Sequence, residues 1–266
     1  MRNQLIATVA AAGLLAMAGA AQAQVVGHVG ANYGRVELDA GALGEGDLDA
    51  FQGEGAVSFD LGALRAQIDG LVTVVDGQGD DATLVSGTAH LNGKADKALF
   101  GGFAGVTNSD GVTLWAVGPE AQIDLGESTV LYGQGAYGQV DDLGDVDFWA
   151  GRVELRQFFS DNFKVQGSLG YTSADFGPAS VDMWNAGLDA EYQFAGTPWS
   201  VIGGYEHAEL DDADLQTDTF RIGVRYTFGG TLRDQDRAGA SLGSVANLFG
   251  GTLGQTLIAA FGSVAP

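Results

Sequence analysis

The stretch FRIGVRYTFGG, residues 220–230, sets Phe220, Ile222, Val224, Tyr226 and Phe228 on one parity and Arg221, Gly223, Arg225 and Thr227 on the other. Alternation with period two is the mark of a strand, because successive side chains leave opposite faces. One face here is apolar and aromatic, and the other carries guanidinium groups. A strand of this kind needs hydrocarbon on one side and water or counter-charge on the other.

The same alternation fills almost the whole chain. WAVGPEAQIDL (115–125), WAGRVELRQFF (149–159) and WNAGLDAEYQF (184–194) each oppose an apolar parity to Glu, Gln, Asp, Arg or Asn. The pattern predicts about twelve strands, at 25–38, 51–61, 63–75, 82–92, 97–107, 112–125, 128–140, 147–158, 163–172, 182–194, 199–209 and 217–228. Each is about long enough to cross a membrane at a tilt, which takes roughly 9–11 residues. Beyond the first 23 residues no stretch offers the ~20 uninterrupted apolar residues of a spanning helix.

The segments between strands fall into two groups. One is acidic and reads as longer loops (AGALGEGDLDA, DGQGDD, NSDG, DDLGDVD, SADFGPASVD, DDADLQTD), with no Lys or Arg. The other reads as tight turns (LG, NGKADK, LGES, FSDN, AGTP). Strict alternation of the two puts the loops at one end of the sheet and the turns, with both termini of the sheet, at the other. Aromatic residues cluster near strand ends, as at Tyr33, Trp115, Trp149, Trp184, Trp199 and Phe228, which suits girdles at two membrane interfaces. A soluble sandwich would bury its apolar parity in a core and has no reason to sort its connections this way.

Residues 1–23 combine Arg2, an apolar run from Leu5 to Ala20 and a small-x-small ending at Ala21–Ala23, and read as a secretory signal peptide. Composition narrows the rest. The net charge of −22, from 34 acidic and 12 basic residues, would repel a phosphate backbone and argues against nucleic acid as a partner. The absence of cysteine removes disulfides and thiolate metal sites, and 43 glycines with only 4 prolines suit a strongly curved sheet rather than a disordered chain.

These features together resemble the small Gram-negative outer-membrane β-barrels of the porin superfamily. The resemblance covers residues 24–229 and rests on architecture, with Phe228 standing where such barrels carry a closing aromatic residue. It implies an all-β, transmembrane antiparallel barrel in the outer membrane. Outer-membrane lipid and lipopolysaccharide would surround it, the barrel assembly machinery would read Phe228, and small hydrophilic solutes would cross it by passive diffusion. A closed barrel with a structural or surface-adhesive role is the other reading. One departure is plain. Residues 230–266 follow the closing strand, and the spacing of Leu242, Val245, Leu248, Phe249, Leu253, Leu257, Ile258 and Phe261 predicts short amphipathic helices. They are expected to form an extension at the periplasmic end, with entry into the lumen as a plug the alternative.

A pore works through rings of fixed charge. The inward parity supplies Arg65, Arg152, Arg156, Lys164, Arg221 and Arg225, opposed by Asp69, Glu120, Asp124, Glu154, Asp189, Glu191 and Glu206, and these are the expected pore-lining residues. Arg35 falls on the lipid parity and should snorkel to the outer rim. No local motif pairs His28, His90 or His207 with a nucleophile, the acidic segments match no calcium loop, and nothing indicates a cofactor. The protein is not expected to be an enzyme.

Overall fold

A computed structural model gives the structure of residues 25–76, 82–109, 111–141, 146–177, 180–211 and 215–264, with backbone alone for 259–264. The expected signal peptide and several loop acids, among them Asp80, Asp81, Asp142 and Asp145, lie outside the described residues.

Twelve strands close into one antiparallel barrel. In chain order they are β1 (Val25–Asp39), β2 (Glu45–Asp60), β3 (Leu64–Asp76), β4 (Ala82–Ala95), β5 (Ala98–Ser109) and β6 (Val112–Asp124), then β7 (Thr129–Asp141), β8 (Val146–Ser160), β9 (Phe163–Asp175), β10 (Ser180–Gln193), β11 (Trp199–Leu210) and β12 (Leu215–Phe228). Each pairs with its sequence neighbours, and β12 closes on β1 from Gly27 opposite Phe228 to Asp39 opposite Gln216. Closure removes every sheet edge, the requirement for strands that sit in lipid.

The alternation read in the sequence becomes inside and outside. In β8, Val146, Phe148, Ala150, Arg152, Glu154, Arg156 and Phe158 are buried within the barrel, while Trp149, Val153, Leu155 and Phe159 are exposed on its wall. The same division holds in β12. Phe220, Ile222, Val224 and Tyr226 face outward, and Arg221 and Arg225 reach inward to acids on neighbouring strands.

Aromatic residues mark two levels on the wall. Toward the acidic end Tyr33 packs on Phe51, Trp115 on Tyr137, Tyr137 on Trp149, and Tyr205 on Phe220. Toward the other end stand Phe159, Phe163, Tyr192 and Phe194, with Trp199 against Tyr226. At the acidic level the tyrosine hydroxyls donate outward, Tyr33 to Asp49 at 2.7 Å, Tyr137 to Asp147 at 2.8 Å and Tyr205 to Asp218 at 2.5 Å. An apolar ring with a wet hydroxyl tip suits an interface, so these pairs set the height of the outer boundary. Arg35 stays on this rim, held by Asp47 at 2.5 Å and Asp49 at 3.6 Å.

One expectation changes. The acidic segments are not long loops, because strands run into them. β2 begins at Glu45 and β10 at Ser180, leaving 40–44 and 176–179 between strands. Leu38 pairs with Gly46 and Asp39 with Glu45, so extended pairing continues to the rim, where Arg35 offsets part of the acidic charge. The two ends of the barrel therefore differ in charge rather than in the length of their connections.

Two helices follow the barrel, α1 (Leu232–Arg237) and α2 (Gly251–Val264), with a single 3₁₀ turn at Val245–Asn247 between them. No helix among the described residues is long and apolar enough to cross a membrane.

The wall has little tolerance where backbones converge. At Gly118 a Cβ would overlap the carbonyl of Gly135 and lie 2.9 Å from the Ala136 Cα, whereas at Gly203 it would meet open space. Gly118→Val should therefore cost at least the 1–3 kcal/mol or so typical of overpacking and lower the temperature at which the folded band is lost in heat-modifiability gels, with Gly203→Val close to the parent.

Candidate functional site

The interior of the barrel is the candidate site, and the C-terminal segment occupies much of it. Gly229 and Gly230 adopt φ of +90° and +136°, which turns the chain back at the short-turn end, a conformation open to glycine. Thr231 then caps α1 reciprocally with Asp234: the Asp234 N–H donates to Thr231 Oγ1 at 3.2 Å and the Thr231 N–H to Asp234 Oδ2 at 2.9 Å. Leu232 plugs an apolar floor made by Val130 and Phe158.

From there the chain climbs the lumen, and inward-facing side chains satisfy its backbone. Ser58 and Arg65 both donate to the Ala238 carbonyl at 2.7 Å. Gln122 donates to Asp236 O at 2.8 Å and Gln134 to Gly243 O at 2.8 Å. Gln67 both donates to Leu242 O and accepts from Leu242 N–H. Higher up, Thr172 donates to Leu248 O at 2.7 Å, and Glu206 accepts from Thr252 N–H at 2.7 Å. The segment thus lies inside the barrel, not on its periplasmic end as expected. The physical reason is the glycine turn together with a lumen rich in amide and hydroxyl groups that replace water around the tail.

Ten of the thirteen predicted charged residues fall into three groups. In the first, Arg156 is fully buried and binds Glu154 at 2.6 Å, Asp236 of the tail at 2.8 Å and the Ser241 carbonyl at 2.8 Å. Its guanidinium also lies 4.9 Å above the Tyr132 ring, and Arg152 takes the other oxygen of Glu154 at 2.9 Å. In the second, Arg225 bridges Glu54 at 2.6 Å and Glu191 at 2.7 Å, Lys164 stands 3.4 Å from Glu191, and Arg221 pairs with Asp189.

The third group centres on a histidine. His90 lies between Asp69, 2.8 Å from Nε2, and Glu120, 3.0 Å from Nδ1, and Asn92 and Tyr132 also donate to Glu120. Tyr132 in turn accepts from the Gly243 N–H of the tail at 3.1 Å. Arg65 bonds Asp60 at the turn end, Glu206 receives Asn185, and Asp124 sits half-buried at the end of β6.

Sequence reading missed the partners in this arrangement, notably Glu54, His90, Tyr132, Asp236 and the glutamines. It also missed that the loop-end half of the interior is apolar. Leu84, Val112, Leu114, Val140, Val146, Phe148 and Met183 point inward and pack around Val245, Leu248, Phe249 and Ile258 of the tail, with Phe148 and Phe249 meeting edge to face at 5.1 Å. A signal was present, since at the loop end of β6 the inward residues Val112, Leu114 and Ala116 are as apolar as outward Val117. A lumen open to water has no use for them.

Between wall and tail remains a polar cavity of about 170 Å³, lined by Arg152, Lys164, Arg221 and Arg225, by Glu54, Asp69, Glu154, Asp189, Glu191 and Glu206, and by Ser241–Ser244 of the tail.

No protein-family model matches the chain, and no curated protein sequence matches it. Among solved structures, the COG4313 outer membrane channel from Pseudomonas putida F1 aligns with a TM-score of 0.57 at 12% identity over 76% of this chain and 94% of its own. The NanC porin aligns at 0.55 and 11% over 74% and 98%, and the KdgM porin at 0.52 and 9% over 75% and 99%. The chain has the fold of porin-type outer-membrane barrels. At these identities the likeness is one of fold.

Arg156 and Asp236 form a fully buried ion pair between wall and tail. Removing one partner of a buried pair costs about 3–5 kcal/mol. Asp236→Ala should accordingly raise hydrogen exchange across 231–250, read by mass spectrometry, while strand amides keep their protection. Loss of protection in wall and tail together would make them one cooperative unit.

Proposed function

We propose that this protein is an outer-membrane channel for passive diffusion of small hydrophilic solutes or ions, held closed by its own C-terminal segment in the state described above. The observation that carries the reading is the charged cavity left between tail and wall. Four basic and six acidic side chains line it, on the inward parity of strands whose outward parity is apolar between the rims. A barrel with purely structural duties gains nothing from burying so many charges, because a buried ion pair rarely outperforms apolar packing of the same volume. That channels and porins share the fold supports the same reading.

The tail fits a removable closure. It joins the barrel through the Gly229–Gly230 turn, and its polar contacts to the wall run mostly through side chains, with no strand pairing among the described residues. Movement of the tail would join the cavity to the volume it now fills. The residues predicted to line the pore would then face water, apart from those at the rims. Catalysis has no place in this account: His90 is held between two carboxylates and bears on no nucleophile among the described residues. In the cell, Phe228 would serve as the closing aromatic residue for the assembly machinery, and the acidic rim would meet lipopolysaccharide through divalent cations.

The second reading, a closed barrel with a structural or surface-adhesive role, draws on the apolar packing of the tail at the loop end. Planar-bilayer recording separates the two. The chain from Gln24 to Pro266 should conduct little, and the chain ending at Gly229 should give discrete, salt-dependent steps several-fold larger. A folded but silent truncated barrel would favour the structural role. With six acidic residues against four basic ones at the cavity, the reversal potential of the truncated form in a salt gradient should have the sign of cation selectivity. Glu191→Gln together with Glu54→Gln should move it toward anions.

A further inference from the structure

At the loop end, between α2 and the wall, lies a second cavity of about 200 Å³ whose chemistry is the reverse of the first. The described residues lining it are all apolar: Val140 and Val146 from β7 and β8, Phe176, Val181 and Met183 around β10, Leu210 of β11, and Phe249, Leu257 and Ile258 from the tail. Among the described residues no polar atom contributes to its lining. A water molecule there would forgo the two to four hydrogen bonds it needs, and apolar cavities of about 150 Å³ stay dry and take up benzene. Such a site sits in the mouth of a barrel, where small-molecule sites commonly form.

We propose that this cavity binds a small neutral hydrocarbon group of about the size of a benzene ring. Volume and lining select it. A charged or hydrogen-bonding solute would be stripped of water there without compensation. A flat aromatic ring would gain the faces of Phe176 and Phe249 and the thioether of Met183, whose sulfur favours aromatic edges. Nothing in this assignment depends on the barrel being a channel, since the site belongs to the closed state.

Met183 makes the test direct, because the other two methionines, Met1 and Met17, belong to the leader. The chain from Gln24, labelled with ¹³C-methyl methionine and placed in lipid nanodiscs, gives a Met183 signal that Met183→Leu assigns. Benzene should shift that signal saturably, and glycerol should leave it in place. Val181→Trp, which fills the cavity, should abolish the saturable shift while the heat-modifiable folded band persists. A Met183 signal that benzene leaves unmoved, or that drifts linearly and equally in Val181→Trp as simple lipid partitioning would produce, overturns the proposal.

Discussion

Hydrocarbon offers no hydrogen-bond partner, so every backbone N–H and C=O that a sheet carries into a membrane must find one within the sheet itself. The pairing of β1 with β12 answers that demand here, and most of the remaining structure is its consequence. Once the ring is closed, side chains have only two destinations. The outward parity becomes a continuous apolar wall, with Ile68, Leu91, Leu169, Leu188 and Ile222 between the aromatic levels. The inward parity must collect the charges that the strands carry between the rims, and meet them with counter-charges or donors in a confined space.

That confinement explains why the interior is networked rather than merely polar. Arg156 is fully buried and would be prohibitively costly alone. With Glu154 on the same strand, Asp236 and Ser241 on the tail and the Tyr132 face beside it, its donors are met. The tail gains in the same exchange. A segment with little regular secondary structure between Ala238 and Ser244 carries backbone groups that need partners, and Ser58, Arg65, Gln67 and Gln134 supply them. Wall and tail each satisfy what the other leaves open.

The barrel was legible because period-two alternation is a local property. FRIGVRYTF contains within nine residues both faces that the folded strand shows. Strand ends were less legible, as at Glu45 and Ser180, since whether an acidic segment loops or pairs depends on its neighbour across the sheet. The site was legible by parity alone. That Arg156, Glu191 and Arg225 point inward follows from alternation, while the identity of their partners does not, because Arg225 and Glu54 are 171 residues apart. The place of the tail was least legible. An amphipathic pattern says that Leu248 and Phe249 need cover and is silent on whether lipid, water-exposed barrel rim or lumen provides it. The clue lay on the opposite partner, in the inward Val112, Leu114 and Phe148.

The tail takes its hydrogen bonds from side chains scattered around nearly the whole ring, from Gln67 on β3 through Tyr132 and Arg156 to Thr172 on β9 and Glu206 on β11. A register slip of one residue in any of these strands would turn the corresponding group out toward lipid. This segment, which leaves the ribosome after every strand, can therefore settle only once the strands before it are aligned. Its docking reports that assembly is complete, and a misregistered barrel would be left with a loose end open to periplasmic proteases.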